Sequence, residues 1–194
     1  AQQVVFPSLD TMRQQLQLLG NEYNEVVAIL LSARLHPRFF ETFQQAAETM
    51  RGRLSIQVID SLNTAISLGY LVQQAAQAAV SGANSTEINR MLQTQIQHVY
   101  TVFCTRNLRY LAECGSIAPS HAVIGEMLGL APIFVFENGR LMASHKARNA
   151  RHLVDLLHEF VDEFYALKHI AILKGGPVFS NEVAQMRDRL QNLQ

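Results

Sequence analysis

The chain has 194 residues, and sixteen Lys and Arg balance sixteen Asp and Glu, which argues against the long-range positive field that recruits nucleic acid or an anionic membrane. A folded chain of this size buries ~70% of the surface that its unfolded form exposes, enough for one or two domains with a true core. Its longest apolar runs, such as Val26 to Leu31, fall far below the ~20 residues that cross a bilayer, and the N-terminus lacks a basic-then-apolar leader pattern. The expectation is a soluble, cytoplasmic protein with no integral membrane segment and no nucleic-acid partner.

Ser8 precedes Met12, Leu16 and Leu19 at helical spacing, and Gly20 closes that run, which predicts a capped first helix. Val26 to Leu31 is apolar on both faces, the pattern of a strand inside a parallel sheet covered by helices. Pro37 suits a first helical position, and Phe39, Phe40, Phe43, Ala46, Ala47 and Met50 trace an apolar stripe behind it. Ile56 to Ile59 is the next strand. From Thr64 to Val80 the pattern is apolar almost all round, predicting a buried helix. The loop 81–85 ends in a cap for a helix carrying Ile88, Met91, Leu92, Ile96 and Val99. Tyr100 to Cys104 then reads as a third strand, and the alternation implies crossover units in one parallel sheet.

After Thr105 the rhythm changes. A short helix, a turn at Gly115 and a helix from about Pro119 to Leu130 lead to Ile133–Phe136 and Leu141–Ser144, which flank Glu137-Asn-Gly-Arg140; Asn-Gly between apolar runs predicts a hairpin. Leu153, Leu156, Leu157, Phe160, Val161, Phe164 and Leu167 fall on one face of the following helix, with Asp155, His158, Glu159, Asp162 and Glu163 on the other. His169 to Leu173 reads as a strand, Lys174 to Pro177 as a turn, and Ser180 as the cap of a last helix. The expected fold is α/β: a parallel-sheet domain over 1–104, then a second α/β domain with a mixed or antiparallel sheet over 105–194.

No motif specifies a reaction. Cys104 and Cys114 stand ten apart with no CxxC or Cys/His array, so neither a disulfide framework nor a zinc site is expected. His152 and His158, six apart, fall on different sides of a helix, and no Gly-x-Ser-x-Gly elbow occurs. The expectation is a non-enzyme with no cofactor, no metal and no catalytic residue.

Ile56-Gln-Val-Ile-Asp-Ser-Leu-Asn63, Thr105-Arg-Asn-Leu-Arg-Tyr-Leu111 and Leu130-Ala-Pro-Ile-Phe-Val-Phe-Glu-Asn-Gly-Arg140 occur in that order, and together they resemble the DegV family of bacterial fatty-acid-binding proteins. Asp60-Ser61, Pro132, Gly139-Arg-Leu141 and Lys146-x-Arg148 also match. The resemblance implies two α/β domains with a long-chain fatty acid between them, its carboxylate held by hydroxyl groups and presented to a fatty-acid kinase. The pattern departs in four places. Thr-Ser-Gln-Pro-Ser is here Val4-Val-Phe-Pro-Ser8; Ser-Ser-x-Leu-Ser-Gly-Thr is Ser32-Ala-Arg-Leu-His-Pro-Arg38; Gly-Gly-Arg-Ile is Cys114-Gly-Ser-Ile117. The fourth is length: an initial Thr-Asp-Ser strand and a final His-x-Gly-Pro-Gly strand are not in this sequence, as in a short or divergent member.

Ser8, Ser32, His36 and Arg38 are accordingly the candidates for the carboxylate, because the C-terminal end of a parallel strand and a Pro-started helix N-terminus suit an anion. The plainer alternative makes Ser8 and His36 helix caps and Arg38 a solvated cation. Asp60, Ser61, Thr105 and Asn107 support the head-group loops or satisfy their own turns. Met127, Leu128, Phe134 and Phe136 are tunnel lining or ordinary core. Arg106, Arg109, Arg140, Lys146, Arg148 and Arg151 outnumber Glu113, Glu126 and Glu137 over 106–151, and the resemblance turns Lys146 and Arg148 toward the kinase; a solvated basic face is the alternative. A rival reading is a DegV-like interaction module that has lost lipid binding and covers apolar surface as a homodimer.

Overall fold

The computed structural model describes residues 5–113, 115, 117–175 and 179–191. It contains two compact units, residues 1–101 with 136–140, and residues 102–135 with 141–194. The expected division was 1–104 and 105–194; the tip of the hairpin groups with the first unit.

The first unit begins with α1 (Leu9–Glu22), whose cap Ser8 accepts a hydrogen bond from the Thr11 amide at 3.2 Å. The helix continues past Gly20, where a Cβ would meet Met50 Cε at 3.4 Å, so that glycine marks a packing position and not the helix end. Strand β1 (Glu25–Leu30) pairs in parallel with β2 (Ser55–Asp60), Val26 opposite Ile56 and Ile29 opposite Ile59, across α2 (Pro37–Glu48). The alternation of side chains sorts the two faces. Val26 and Ile56 join Met12, Leu16, Ala46, Met50 and Leu54 beneath α1 and α2, while Val27, Ile29 and Ile59 join Leu71, Ala75, Ile88, Leu92 and Ile96 beneath α3 (Ala65–Val80) and α4 (Ser85–Ile96). Two covered faces explain why β1 is apolar throughout. A capping box between Asn84 and Glu87 starts α4.

Helix α3 corrects the expectation of burial all round. Only Ser67, Leu71 and Ala75, four apart, are buried, whereas Ile66, Val72 and Val80 are exposed. Its outer face carries alanine, glutamine and isolated valines, which imitate a buried helix in the sequence pattern.

In the second unit the sheet order is β3 (Val102–Cys104), β4 (Ala131–Glu137), β5 (Arg140–Ala147). Strand β3 pairs antiparallel with β4, Phe103 opposite Phe134, so it is not a third strand of the parallel sheet as expected. The fold class stands: a parallel-sheet α/β part followed by an α/β part with an antiparallel sheet. One face of the second sheet packs Phe103 and Phe134, their rings stacked at 5.3 Å, against Leu108 and Leu111 of α5 (Leu108–Glu113) and Ala122 of α6 (Pro119–Met127). The other packs Cys104, Ile133 and Ala147 against Leu153, Leu156 and Leu157 of α7 (Ala150–Asp162). Asp155 of α7 pairs with Arg189 of α8 (Ser180–Gln191) at 2.8 Å.

Helix α7 stops at Asp162, short of the apolar residues Phe164 and Leu167. The expected strand His169–Leu173 forms no ladder; Ile170, Ile172 and Leu173 are exposed along an irregular stretch. An apolar run of strand composition becomes a strand only where neighbouring backbone supplies its hydrogen bonds. Ser180 is the first residue of α8 and not its cap, and its hydroxyl accepts from Lys174 Nζ at 3.3 Å. Gly176 and Pro177 of the expected turn lie outside the described residues, as do Val4, Cys114 and Ser116.

Candidate functional site

Both parallel strands of the first unit deliver short polar residues to their C-terminal ends, where open α/β sheets bind ligands. Asp60, the last residue of β2, accepts through Oδ1 from the Ala33 amide at 3.1 Å and the Leu62 amide at 2.9 Å. One carboxylate oxygen thereby ties the loop after β1 to the loop after β2. The Ser32 amide donates to the Asn63 carbonyl at 2.9 Å and the Ser61 amide to the Leu30 carbonyl at 3.0 Å, which extends the parallel ladder into the loops.

Ser32 and Ser61 are completely buried. The Ser61 hydroxyl donates to the Asn63 carbonyl and accepts from the Asn63 amide, each at 3.1 Å. The Ser32 hydroxyl accepts from the Arg34 amide at 3.2 Å and donates to the Gly139 carbonyl at 2.7 Å. A hydroxyl has one proton, and here the hairpin turn takes it. Between β2 and the first residue of α3 two non-glycine residues adopt the left-handed region, Leu62 in the loop at φ 50° and Ala65 at the helix start at φ 51°, where L-residues are strained.

Behind these loops runs a polar chain that sequence reasoning missed. Asn63, 3% exposed, donates from Nδ2 to the Ser61 carbonyl at 3.1 Å and accepts at Oδ1 from Thr101 Oγ1 at 3.1 Å. Thr101 Oγ1 also bonds Ser67 Oγ. The available signal was Ser67, a polar residue in register with Leu71 and Ala75 on the buried stripe of α3.

The four carboxylate candidates have different local duties. Ser8 caps α1 and shares a 2.9 Å hydrogen bond with the Thr11 hydroxyl, in line with the plainer reading. His36 is the cap residue of α2 by position, yet its side chain makes no capping hydrogen bond. Its ring lies 4.8 Å from Phe6, which in turn lies 4.8 Å from Phe39. Phe6, also missed from the sequence, thus connects the stretch before α1 to the start of α2. Arg38 is exposed in the first turn of α2, and its carbonyl accepts from Thr42 Oγ1 at 2.7 Å. The structure therefore wires Ser32, Asp60 and Ser61 into one group and leaves the imidazole of His36 unspent on its helix.

The remaining candidates belong to the second unit. Thr105 Oγ1 accepts from the Asn107 amide at 3.0 Å, and Asn107 Oδ1 from the Tyr110 amide at 3.2 Å; both side chains organise the entry to α5. Lys146 on β5 and Arg148 just after it are exposed. Arg109 is held by Glu126 at 3.0 Å and Arg106 by Glu182 at 3.6 Å, which leaves less of the basic group available than the sequence count suggested. Phe134 belongs to the core, whereas Met127 and Leu128 are exposed. A cleft of about 780 Å³ near the end of α7 is lined by Val161, Phe164, Leu167, Ile170, Ile172 and Leu190 among others, and none of the predicted site residues lines it. Among the described residues no group of three or more His, Cys, Asp or Glu could hold a metal ion, and no helix is long and apolar enough to cross a membrane.

Burial pushes the Cys104 thiol up to about 11, helped by the negative charge of Glu182 and opposed by Arg106. Glu25 is held below the ordinary carboxylate value by hydrogen bonds from Ser85, whose amide is 2.9 Å from Oε2.

A family model described as "Uncharacterised protein, DegV family" matches residues 4–194. Among curated proteins, a DegV domain-containing protein of Staphylococcus aureus (strain N315) is 26% identical over 158 residues, covering 81% of this chain and 56% of its own length. The DegV protein of Bacillus subtilis (strain 168) is 27% identical over 146 residues, 75% of this chain and 51% of its own. This chain thus spans about half the length of the curated relatives it matches. Of solved structures, a fatty acid binding DegV family protein from Streptococcus agalactiae superposes with a TM-score of 0.79 at 22% identity, covering 97% of this chain and 66% of that one. A DegV family protein from Eubacterium eligens loaded with heptadecanoic acid gives 0.76 at 20% identity, covering 97% and 67%. With a family model spanning nearly the whole sequence and the fold shared with these structures, this chain belongs to the DegV family.

Proposed function

We propose that this protein binds a long-chain fatty acid and offers its carboxylate to a fatty-acid kinase. Membership of a family whose solved members include fatty-acid-bound proteins supports the ligand class. The observation that carries the reading to this chain is His36, a cap residue whose imidazole makes no capping hydrogen bond and stands at a Pro-started helix beside Arg38. Backbone N–H groups, imidazole and guanidinium together suit an anion. Ser8 and Ser32 complete the proposed head-group set, with Asp60 and Ser61 fixing the loops and Thr105 and Asn107 performing the same service in the second unit. Lys146 and Arg148 face the kinase. This chain performs no bond-making step; the partner supplies nucleotide and Mg²⁺.

Burial of each methylene contributes ~0.8 kcal/mol before the costs of association, so a C16 chain contributes more than any single head-group hydrogen bond at ~0.5–3 kcal/mol. Lipid binding therefore survives the exchange of a hydroxyl for His36. The test is native mass spectrometry of the purified protein with lipid extraction from the same sample. A co-purifying C14–C18 acid at near one-to-one occupancy is the expected result. Failure to take up palmitate or oleate would overturn the reading.

One observation favours the rival, an interaction module that no longer binds lipid: Ser8 is engaged in its cap and the Ser32 proton in the turn. An apo mass together with a dimer in the same spectrum would select it.

A further inference from the structure

We propose that the turn Asn138-Gly139 is a latch on the head-group loops of the first unit and that Ser32 is its catch, a positioning residue governing how fast a bound acid is released. The proposal rests on the fatty-acid reading above for the identity of what is released, but not for the latch itself. Ser32 lies two residues past the end of β1, is completely buried and spends its single proton on a carbonyl 107 positions later at 2.7 Å. A local capping serine satisfies backbone within a few residues; this one holds a distant turn.

The turn is shaped for that seat. Asn138 at φ 50° and Gly139 at φ 77° give the doubly left-handed turn of a tight hairpin. A Cβ on Gly139 would stand 2.5 Å from Ser32 Oγ and 3.1 Å from Leu62 Cδ2. Leu62 is itself one of the strained residues of the second loop, so the turn rests on both loops that Asp60 ties together. The pairing of β3 with β4 runs on toward the turn, since the Phe136 amide donates to the Thr101 carbonyl at 2.9 Å. Thr101 is bonded to Asn63 and Ser67, so the polar chain behind the loops reaches the tip as well. Opening the tip breaks a few identified hydrogen bonds and lifts the turn from Leu62, which packs against one hydrophobic cluster of the first unit, while the buried members of both clusters lie outside 136–140. That is the energetic profile of a segment that opens alone.

A closed tip covers the ends of β1 and β2. Ligand leaving from those ends must wait for the turn to lift.

The test uses the full chain and two independent readouts. Amide hydrogen exchange at Phe136 in the ligand-free protein reports the tip. Stopped-flow release of cis-parinaric acid, displaced by excess oleate, reports exchange of the ligand. Ser32→Ala should raise both rates roughly tenfold, the effect of one lost buried hydrogen bond and an orphaned carbonyl. Gly139→Ala, which keeps the Ser32 hydroxyl but places a Cβ against it at a φ of 77°, should do the same by steric exclusion and covers the case in which Ser32→Ala folds poorly. Unchanged exchange at Phe136 in both variants overturns the latch, whatever the ligand does. Faster tip exchange with unchanged parinarate release overturns its control of release. No parinarate uptake by the unmutated protein overturns the fatty-acid reading, and with it the control of release, while the exchange data still decide whether Ser32 holds the turn.

Discussion

The Asn63 side-chain amide serves Ser61 on one side and Thr101 on the other in a buried setting. Asn63→Ala leaves the Ser61 carbonyl and the Thr101 hydroxyl without those partners, and we expect a loss of ~1–3 kcal/mol in urea denaturation. His36→Ala behaves in the opposite way. It removes no cap bond but does remove the ring contact with Phe6, so stability should fall by no more than ~1 kcal/mol, while affinity for oleate falls by about tenfold or more through loss of a charge-assisted contact. Unchanged affinity in isothermal titration would remove His36 from the head-group set. Cys104 gives a pH prediction with a definite sign. Its thiol is raised in the folded state from the ordinary 9.0 to about 11, so above pH 9 the unfolded chain gives up its proton first and stability falls as pH rises through the window to about 11. In a Cys114→Ser background at pH 8.5, alkylation of Cys104 by iodoacetamide should be slow in the folded protein and rise sharply on unfolding.

The Ser8 cap, the proline start of α2 and the hairpin turn were legible because they depend on a few adjacent residues, whereas Ser180 was expected as a cap and is the first residue of α8. Ser8, Pro37 and Asn138-Gly139 act where their sequence context places them. Ser8→Ala should cost about 1 kcal/mol of stability, read from the urea midpoint, and this loss separates its capping duty from any effect on lipid affinity. Elements whose identity depends on a partner were less legible. Residues 100–104 have strand composition, but whether Val102–Cys104 joins β2 in parallel or β4 in antiparallel register is settled by long-range pairing. The stretch His169–Leu173 has the same composition and is irregular, not a strand. Helix α3 misled for another reason: small and apolar residues on its solvent side look the same in a periodicity plot as residues under cover.

At the scale of the molecule, each unit has a sheet with helices on both faces and its own pair of hydrophobic clusters. Local stability should therefore be uneven, lowest where backbone has neither ladder nor helix. Between the end of α7 and the start of α8 the described chain is irregular and carries exposed Tyr165, Ile170 and Leu173. Limited trypsin digestion should cut first after Lys168 and Lys174; early cleavage within residues 55–96 instead would contradict this ranking. Composition and the order of short motifs were enough for the fold class and the family resemblance, because covered parallel strands, amphipathic helices and a tight turn each leave a local pattern. The tertiary structure alone decided that Asp60 bridges two loops, that Asn63 and Thr101 stand behind them, and that the Ser32 proton goes to Gly139. Those facts are hydrogen bonds between residues up to 107 positions apart. Periodicity reports which face of an element is apolar; it carries no information about which distant carbonyl a buried hydroxyl will meet.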